Sequence, residues 1–129
     1  MNGVAGDDLI MFGGNGDDSA LGGDGNDQMF GGNGGAEVDG GAGDDFMMNF
    51  FGANDIHGGQ GNDYIYSVTG FGETIDGGSE ADTIFGGNGS DSILGGTGND
   101  FIFGGNGDDT QAGGQGDETS GTTFPMVTF

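Results

Sequence analysis

Residues 95–103 read GGTGNDFIF. The same nine-residue frame, GGxGxDxUx with U a large apolar side chain, returns at 22–30 (GGDGNDQMF), 58–66 (GGQGNDYIY) and 86–94 (GGNGSDSIL). A short fixed period means one small structural unit stacked many times, each copy touching only its neighbours. Aligned on the Asp at the sixth place, the frame runs through Asp8, Asp18, Asp27, Ala36, Asp45, Asn54, Asp63, Glu73, Asp82, Asp91, Asp100, Asp109 and Glu118. Successive frames are nine residues apart, stretching to ten near Phe12 and near Ser67.

The two halves of the frame have different backbone demands. GGxGxD puts glycine where a tight, left-handed backbone is needed, so it reads as a turn. The xUx half reads as a short strand with its middle residue pointing inward. Turn, strand, turn, strand makes one coil of about 18 residues, and stacked coils give in-register parallel strands. The expected fold is all-β: a flattened right-handed parallel β-solenoid of about seven coils, with two sheets and two edges of turns, roughly 30–35 Å long. Residues 1–121 form the roll; 122–129 (TTFPMVTF) form a tail able to cap it or to pair with another molecule. The inward column is Ile10, Ala20, Met29, Val38, Met47, Ile56, Ile65, Ile75, Ile84, Ile93 and Ile102. So thin a core holds a stack only if the turns are pinned as well.

Composition says what the pin must be. The 129 residues include 36 glycines and 22 acidic residues, with no Lys, Arg or Cys, for a formal net charge of −22. Glycine loses the most backbone entropy on ordering, and like charges repel in the compact state. Nothing in the chain neutralises a phosphate, which excludes nucleic acid and anionic membrane surfaces as partners. Apolar runs are too short to span a bilayer, and no basic segment precedes an apolar stretch as in a cleaved export signal. Without cysteine there is no disulfide framework. The missing stabiliser is a cation that favours oxygen ligands.

The repeat resembles the nonapeptide of the repeats-in-toxin (RTX) family, over roughly residues 3–121. The resemblance implies a β-roll with Ca²⁺ between stacked turns of one edge, held by sixth-place carboxylates and backbone carbonyls of the glycine turns. It implies as ligands Asp8, Asp18, Asp27, Asp45, Asp63, Glu73, Asp82, Asp91, Asp100, Asp109 and Glu118. It also implies a bacterial protein, exported unfolded from a low-calcium cytosol and folded in the calcium outside. Elementary chemistry agrees, since Ca²⁺ takes six to eight hard oxygens.

Alternate frames fall on opposite edges. One edge carries Asp8, Asp27, Asp45, Asp63, Asp82, Asp100 and Glu118 without a break. The other carries Asp18, Ala36, Asn54, Glu73, Asp91 and Asp109 and loses its carboxylates in the middle, where Phe50 and Phe51 stand in place of the paired glycines and Phe71 lies in the next turn. About six ions are expected on the first edge and about two on the second, near Glu73, Asp91 and Asp109, with a weak place at Asp18. The outward residues differ too. One face presents Phe30, Phe46, Tyr64, Tyr66, Phe85, Phe101 and Phe103; the opposite face presents Glu37, Asp39, Asp55, His57 and Asp76. A contiguous apolar patch of this kind marks an interface.

No catalytic constellation appears. His57 is the only histidine, on the acidic face, and the glycine turns lack the Lys of a phosphate loop. The expectation is a non-enzymatic, secreted, calcium-binding structural protein that folds on Ca²⁺. It would self-assemble into a filament, surface layer or matrix through the aromatic face and uncapped ends. The alternative is a calcium-dependent folding and secretion module of a larger toxin, hydrolase or adhesin. A carbohydrate-binding surface built on Tyr64, Tyr66 and Phe101 is a third possibility.

Overall fold

Each U residue drives one strand inward, and most strands run on through the glycine pair after it before the chain turns, as Thr83–Asn88 does through Gly86 and Gly87. In the computed structural model, which describes residues 2–11, 15–49, 51–68, 71–116 and 119–121, this alternation produces thirteen strands and, among the described residues, no helix. The odd-numbered strands are β1 (Leu9–Met11), β3 (Gln28–Phe30), β5 (Phe46–Asn49), β7 (Tyr64–Ser67), β9 (Thr83–Asn88), β11 (Phe101–Asn106) and β13 (Thr119–Gly121). They form a seven-stranded sheet in chain order. The even-numbered strands are β2 (Asp18–Asp24), β4 (Ala36–Ala42), β6 (Asp55–Gln60), β8 (Thr74–Ser79), β10 (Ser92–Thr97) and β12 (Thr110–Gln115), and they form the second sheet. All pairings are parallel. Two strands per coil make six coils and a thirteenth strand, slightly fewer than the seven expected.

The two ten-residue steps leave the register undisturbed. Leu9 pairs with Gln28 and Asp55 with Thr74, each 19 residues apart, whereas Gln28 pairs with Phe46 at 18. The extra residues are absorbed outside the strands, because a slip inside one would turn every side chain to the wrong face.

The core is the expected inward column. Ile10, Ala20, Met29, Val38, Met47, Ile56, Ile65, Ile75, Ile84, Ile93 and Ile102 are all buried in one cluster, joined by Ala36. Small Ala20 and Val38 on the second sheet stand in the same coils as long Met29 and Met47 on the first, while later coils set isoleucine beside isoleucine. Volume is thereby kept roughly even along the stack, as close packing requires. The apolar column ends at Ile102. Gln111 follows Ile93 in register, and Ser120 pairs with Ile102.

The faces separate as expected. On the seven-stranded sheet the outward rings form one connected ladder. Phe30 meets Phe46 (centroids 5.9 Å apart), Phe46 stacks on Tyr64 (5.4 Å, 9° between planes), and Tyr64 meets Phe85 (5.8 Å). Phe85 is the hub, also touching Tyr66, Phe101 and Phe103 at 5.7–5.9 Å. The rings shelter one another, so most are half-buried; Tyr64 and Phe101 remain 39% and 42% exposed. On the other sheet His57 is exposed, 3.3 Å from Asp55 and opposite Asp39 and Asp76 on the flanking strands.

Replacing Ile65 with Ala removes the centre of this narrow core and is expected to cost about 2–5 kcal/mol. Leu9→Ala, at a side chain 66% exposed, is expected to stay within about 0.5 kcal/mol. Denaturant unfolding of the calcium-loaded protein checks both.

Candidate metal centre

Stacking at one strand spacing puts each sixth-place Asp directly over the next. On the first edge a ladder results: the backbone N–H of each Asp donates to Oδ1 of the Asp one coil later. The distances are 2.8 Å for Asp8 to Asp27, Asp27 to Asp45 and Asp45 to Asp63, then 2.9 Å to Asp82 and 3.0 Å to Asp100. Asp27, Asp45, Asp63, Asp82 and Asp100 are at most 2% exposed. One oxygen of each carboxylate is therefore satisfied. The other, Oδ2, is buried with no hydrogen-bond partner at all five residues, and likewise at Asp91 and Asp109 on the second edge. A buried, unpaired carboxylate oxygen costs several kcal/mol unless a cation meets it.

The surroundings of these oxygens hold further acceptors. A Cβ added at Gly40 would collide with Asp45 Oδ2 and with the carbonyl oxygen of Gly58 one coil on. The same pair of oxygens, carboxylate and next-coil carbonyl, crowds the Cβ positions of Gly22, Gly58, Gly77, Gly86 and Gly95. The first glycine of the frame is thus required by space, because two acceptors converge where a side chain would stand. Among the described residues no three acidic or histidine side chains converge, so any ion would draw on few carboxylates and take its remaining oxygens from the backbone. A hard, oxygen-seeking cation such as Ca²⁺ fits this donor set.

Burial pushes Asp45 and Asp82 up to about 7 and Asp63 to about 6, against the opposing pull of the backbone N–H each accepts. Neighbouring carboxylates add to the rise at all three. Asp91 and Glu73 are raised for the same first reason.

The first edge carries a second ladder that the sequence did not announce. Fifth-place side chains accept from the coil after them: Asn26 N–H donates to Asp7 Oδ1 (2.9 Å), Asp44 to Asn26 (2.8 Å), Asn62 to Asp44 (2.8 Å) and Ala81 to Asn62 (3.1 Å). It runs opposite to the inner ladder, so each turn is tied forwards through one residue and backwards through its neighbour. The Asn62 bonds hold the exposed Asp44 carboxyl below its ordinary range. The signal in sequence is the Asn-Asp or Asp-Asp pair at places five and six (7–8, 26–27, 44–45, 62–63). At place four Glu80 stands where neighbouring coils have Gly61 and Gly98, with φ 77°, the one non-glycine at positive φ among the described residues. Its carboxylate accepts from Gly61 N–H (2.9 Å) and Ser79 Oγ (2.7 Å), which ties down a backbone conformation that only glycine adopts freely.

Three expected ligands sit differently. Asp8 Oδ2 already accepts from Val4 N–H at 2.8 Å. Asp18 is half-buried and pairs in register with Ala36, which has no carboxylate to offer. Both oxygens of Glu73 have protein donors. Phe51 also needs correction: it pairs with Asn33, at the third place of the frame, not at the paired glycines. It is 53% exposed and Phe71 87% exposed. Glu118, Phe50 and the tail 122–129 lie outside the described residues.

A parallel roll with turn aspartates in register, each leaving one oxygen for a cation, defines a calcium-repeat protein as a class. The model of the RTX calcium-binding nonapeptide repeat (four copies) matches residues 2–36, 50–67, 67–101 and 85–117. The chain belongs to that family. No curated protein and no solved structure matches it.

Two outcomes follow from the site. Without calcium, the raised carboxylates bind protons more tightly folded than unfolded, so they favour folding as pH falls and oppose it as pH rises through 6–7. In chelator, circular dichroism should therefore show β structure increasing from pH 8 to pH 5. With calcium present, acidification should instead weaken ion binding, because proton and cation compete for the same oxygens. Gly40→Ala should raise the calcium needed for folding far more than Gly16→Ala. At Gly16 nothing lies near the added Cβ, and only the positive φ opposes it, at about 1–2 kcal/mol.

Proposed function

We propose that the chain is a non-catalytic calcium-binding structural protein that folds on Ca²⁺ and associates with copies of itself. The column of buried, partnerless Oδ2 atoms carries the first half of this reading. The ions would be held by Asp27, Asp45, Asp63, Asp82 and Asp100 on one edge and by Asp91 and Asp109 on the other, with glycine carbonyls completing the shell. When bound, the ion supplies the positive charge this chain lacks. The chain's own residues space the carboxylates at one strand separation, exclude water from them and orient them through the N–H ladder. Binding energy is then folding energy, and the apo chain is unfolded above the pH range in which its raised carboxylates take up protons.

The connected ring ladder supports the second half. Seven aromatic side chains on one flat sheet face offer a large apolar surface, and sheet-on-sheet packing against a second copy would cover it. Filament, layer or matrix are the forms such contacts would take. A family whose repeats occur in secreted bacterial proteins supports a place outside the cell, where millimolar calcium meets a chain exported unfolded. The other reading, a folding and secretion module within a larger toxin, hydrolase or adhesin, gives the same calcium response without self-association.

Calcium titration of the purified chain, followed by circular dichroism and sedimentation, separates the two. The structural-protein reading expects a disordered chain to gain β structure in millimolar Ca²⁺ and to form large assemblies visible by negative-stain electron microscopy. Phe85→Ser with Phe103→Ser should abolish the assemblies and leave the folding intact. A folded monomer at every concentration would favour the module, and no folding response to calcium would reject both.

A further inference from the structure

The second edge contains a place built like a metal site whose atoms do not fit a metal. At Asp91 and Asp109 the pattern of the first edge holds: one oxygen takes the ladder N–H, the other is buried and bare. One and two coils earlier the pattern changes. Asn54 Nδ2 donates to Gly52 O (3.0 Å) and to Glu73 Oε2 (2.9 Å), and Glu73 Oε2 also accepts the ladder N–H of Asn54 at 2.8 Å. Ser67 Oγ donates to Glu73 Oε1 at 3.1 Å. Asn54, Glu73 and Ser67 are 5%, 1% and 2% exposed.

Each partner occupies a place with a meaning in the repeat. Nδ2 of Asn54 lies between a turn carbonyl and a carboxylate of the next coil, the kind of oxygens that elsewhere lack a donor. Ser67 is the first residue of its ten-residue frame; it pairs with Asn49 in the coil before, and glycine stands at that place in the two coils after, as Gly86 and Gly104. At Gly86 and Gly104 the missing Cβ would collide with the bare Oδ2 of Asp91 and Asp109. Ser67 has a side chain at that place, and its hydroxyl caps the oxygen that would otherwise be bare. Glu73 is one methylene longer than Asp, and its frame is one residue longer than its neighbours. The coil before Asn54 carries Ala36, whose N–H donates to Asn54 Oδ1 (3.0 Å) and which brings no carboxylate of its own.

We infer that Asn54, Ser67 and Glu73 form a metal-free pin, in which an amide and a hydroxyl take the place of a calcium ion, so that the middle of the second edge binds no metal. The inference rests on the calcium reading of the other turns. It means that Glu73, although at a ligand place of the repeat, is a hydrogen-bond acceptor. It also means that the ions expected near Asp91 and Asp109 on this edge do not extend to the coils of Glu73 and Asn54.

Bound calcium per chain, measured by equilibrium dialysis on folded protein, tests it with three variants. Asp91→Asn should lose calcium relative to the unsubstituted protein. Glu73→Gln should lose none, because its amide oxygen still accepts the Asn54 N–H. Asn54→Asp removes the amide donors and sets a second carboxylate against Glu73, so it should gain an ion. Loss of calcium in Glu73→Gln equal to that in Asp91→Asn would overturn the pin. If Glu73→Gln does not fold, the loaded unsubstituted protein decides: the Asn54 side-chain NH₂ should be protected from solvent exchange in its NMR spectrum, and rapid exchange would overturn the proposal. A protein that binds no calcium in any form would instead remove the calcium reading itself.

Discussion

Like charges held one strand spacing apart, with half of their oxygens cut off from water, are the constraint on which this molecule turns. Parallel stacking of identical turns cannot avoid it, because whatever stands at the sixth place of one coil stands over the same place in the next. The N–H of each rung satisfies one oxygen of its neighbour. Geometry leaves the second oxygen beside a carbonyl, and two acceptors cannot satisfy each other. With no Lys or Arg anywhere in the chain, the neutralising charge must come from solution. On the function proposed above, folding is bound to the availability of a hard cation, and protons are the competing ligand of the same oxygens.

Glycine serves this arrangement by space as much as by flexibility. The first glycine of the frame leaves room for two converging oxygens, as the collisions at Gly22, Gly40 and Gly58 show. Where that glycine is replaced, as by Ser67, the new side chain carries a donor aimed at the carboxylate. Where the fourth glycine is replaced, as by Glu80, the side chain turns back to bind the preceding coil. In both places the departure from the repeat is matched by a local hydrogen bond. That is what separates these substitutions from simple decay of the motif.

The core and the aromatic face follow from the same stacking. Every second residue of a strand points the same way, so one apolar column fills the inside and a second, on the same strands, forms the ring ladder outside. Phe85 joins four other rings, which stiffens the sheet from its outer side while leaving a broad apolar surface. The opposite sheet carries carboxylates in the middle of its outward face, at Glu37, Asp39, Asp55 and Asp76, and these would repel a second acidic molecule. Association, if driven by apolar contact, has one face available to it.

By itself the sequence determined everything that depends on period. The alternation of turns and strands, the buried column from Ile10 to Ile102, the division of aspartates between two edges and the contrast between faces were all legible. A fixed repeat assigns each residue to a column without knowledge of its neighbours. What only the tertiary structure decided is where individual polar atoms end. Asn54 reads as a lost carboxylate, yet its amide bridges Gly52 and Glu73. Glu73 reads as a ligand, yet both its oxygens are taken. Asp7, Asn26, Asp44 and Asn62 read as variable turn residues, yet they form a second ladder. The physical reason is common to all three: a column is a property of one chain's spacing, whereas a hydrogen bond depends on the angle at which the next coil arrives.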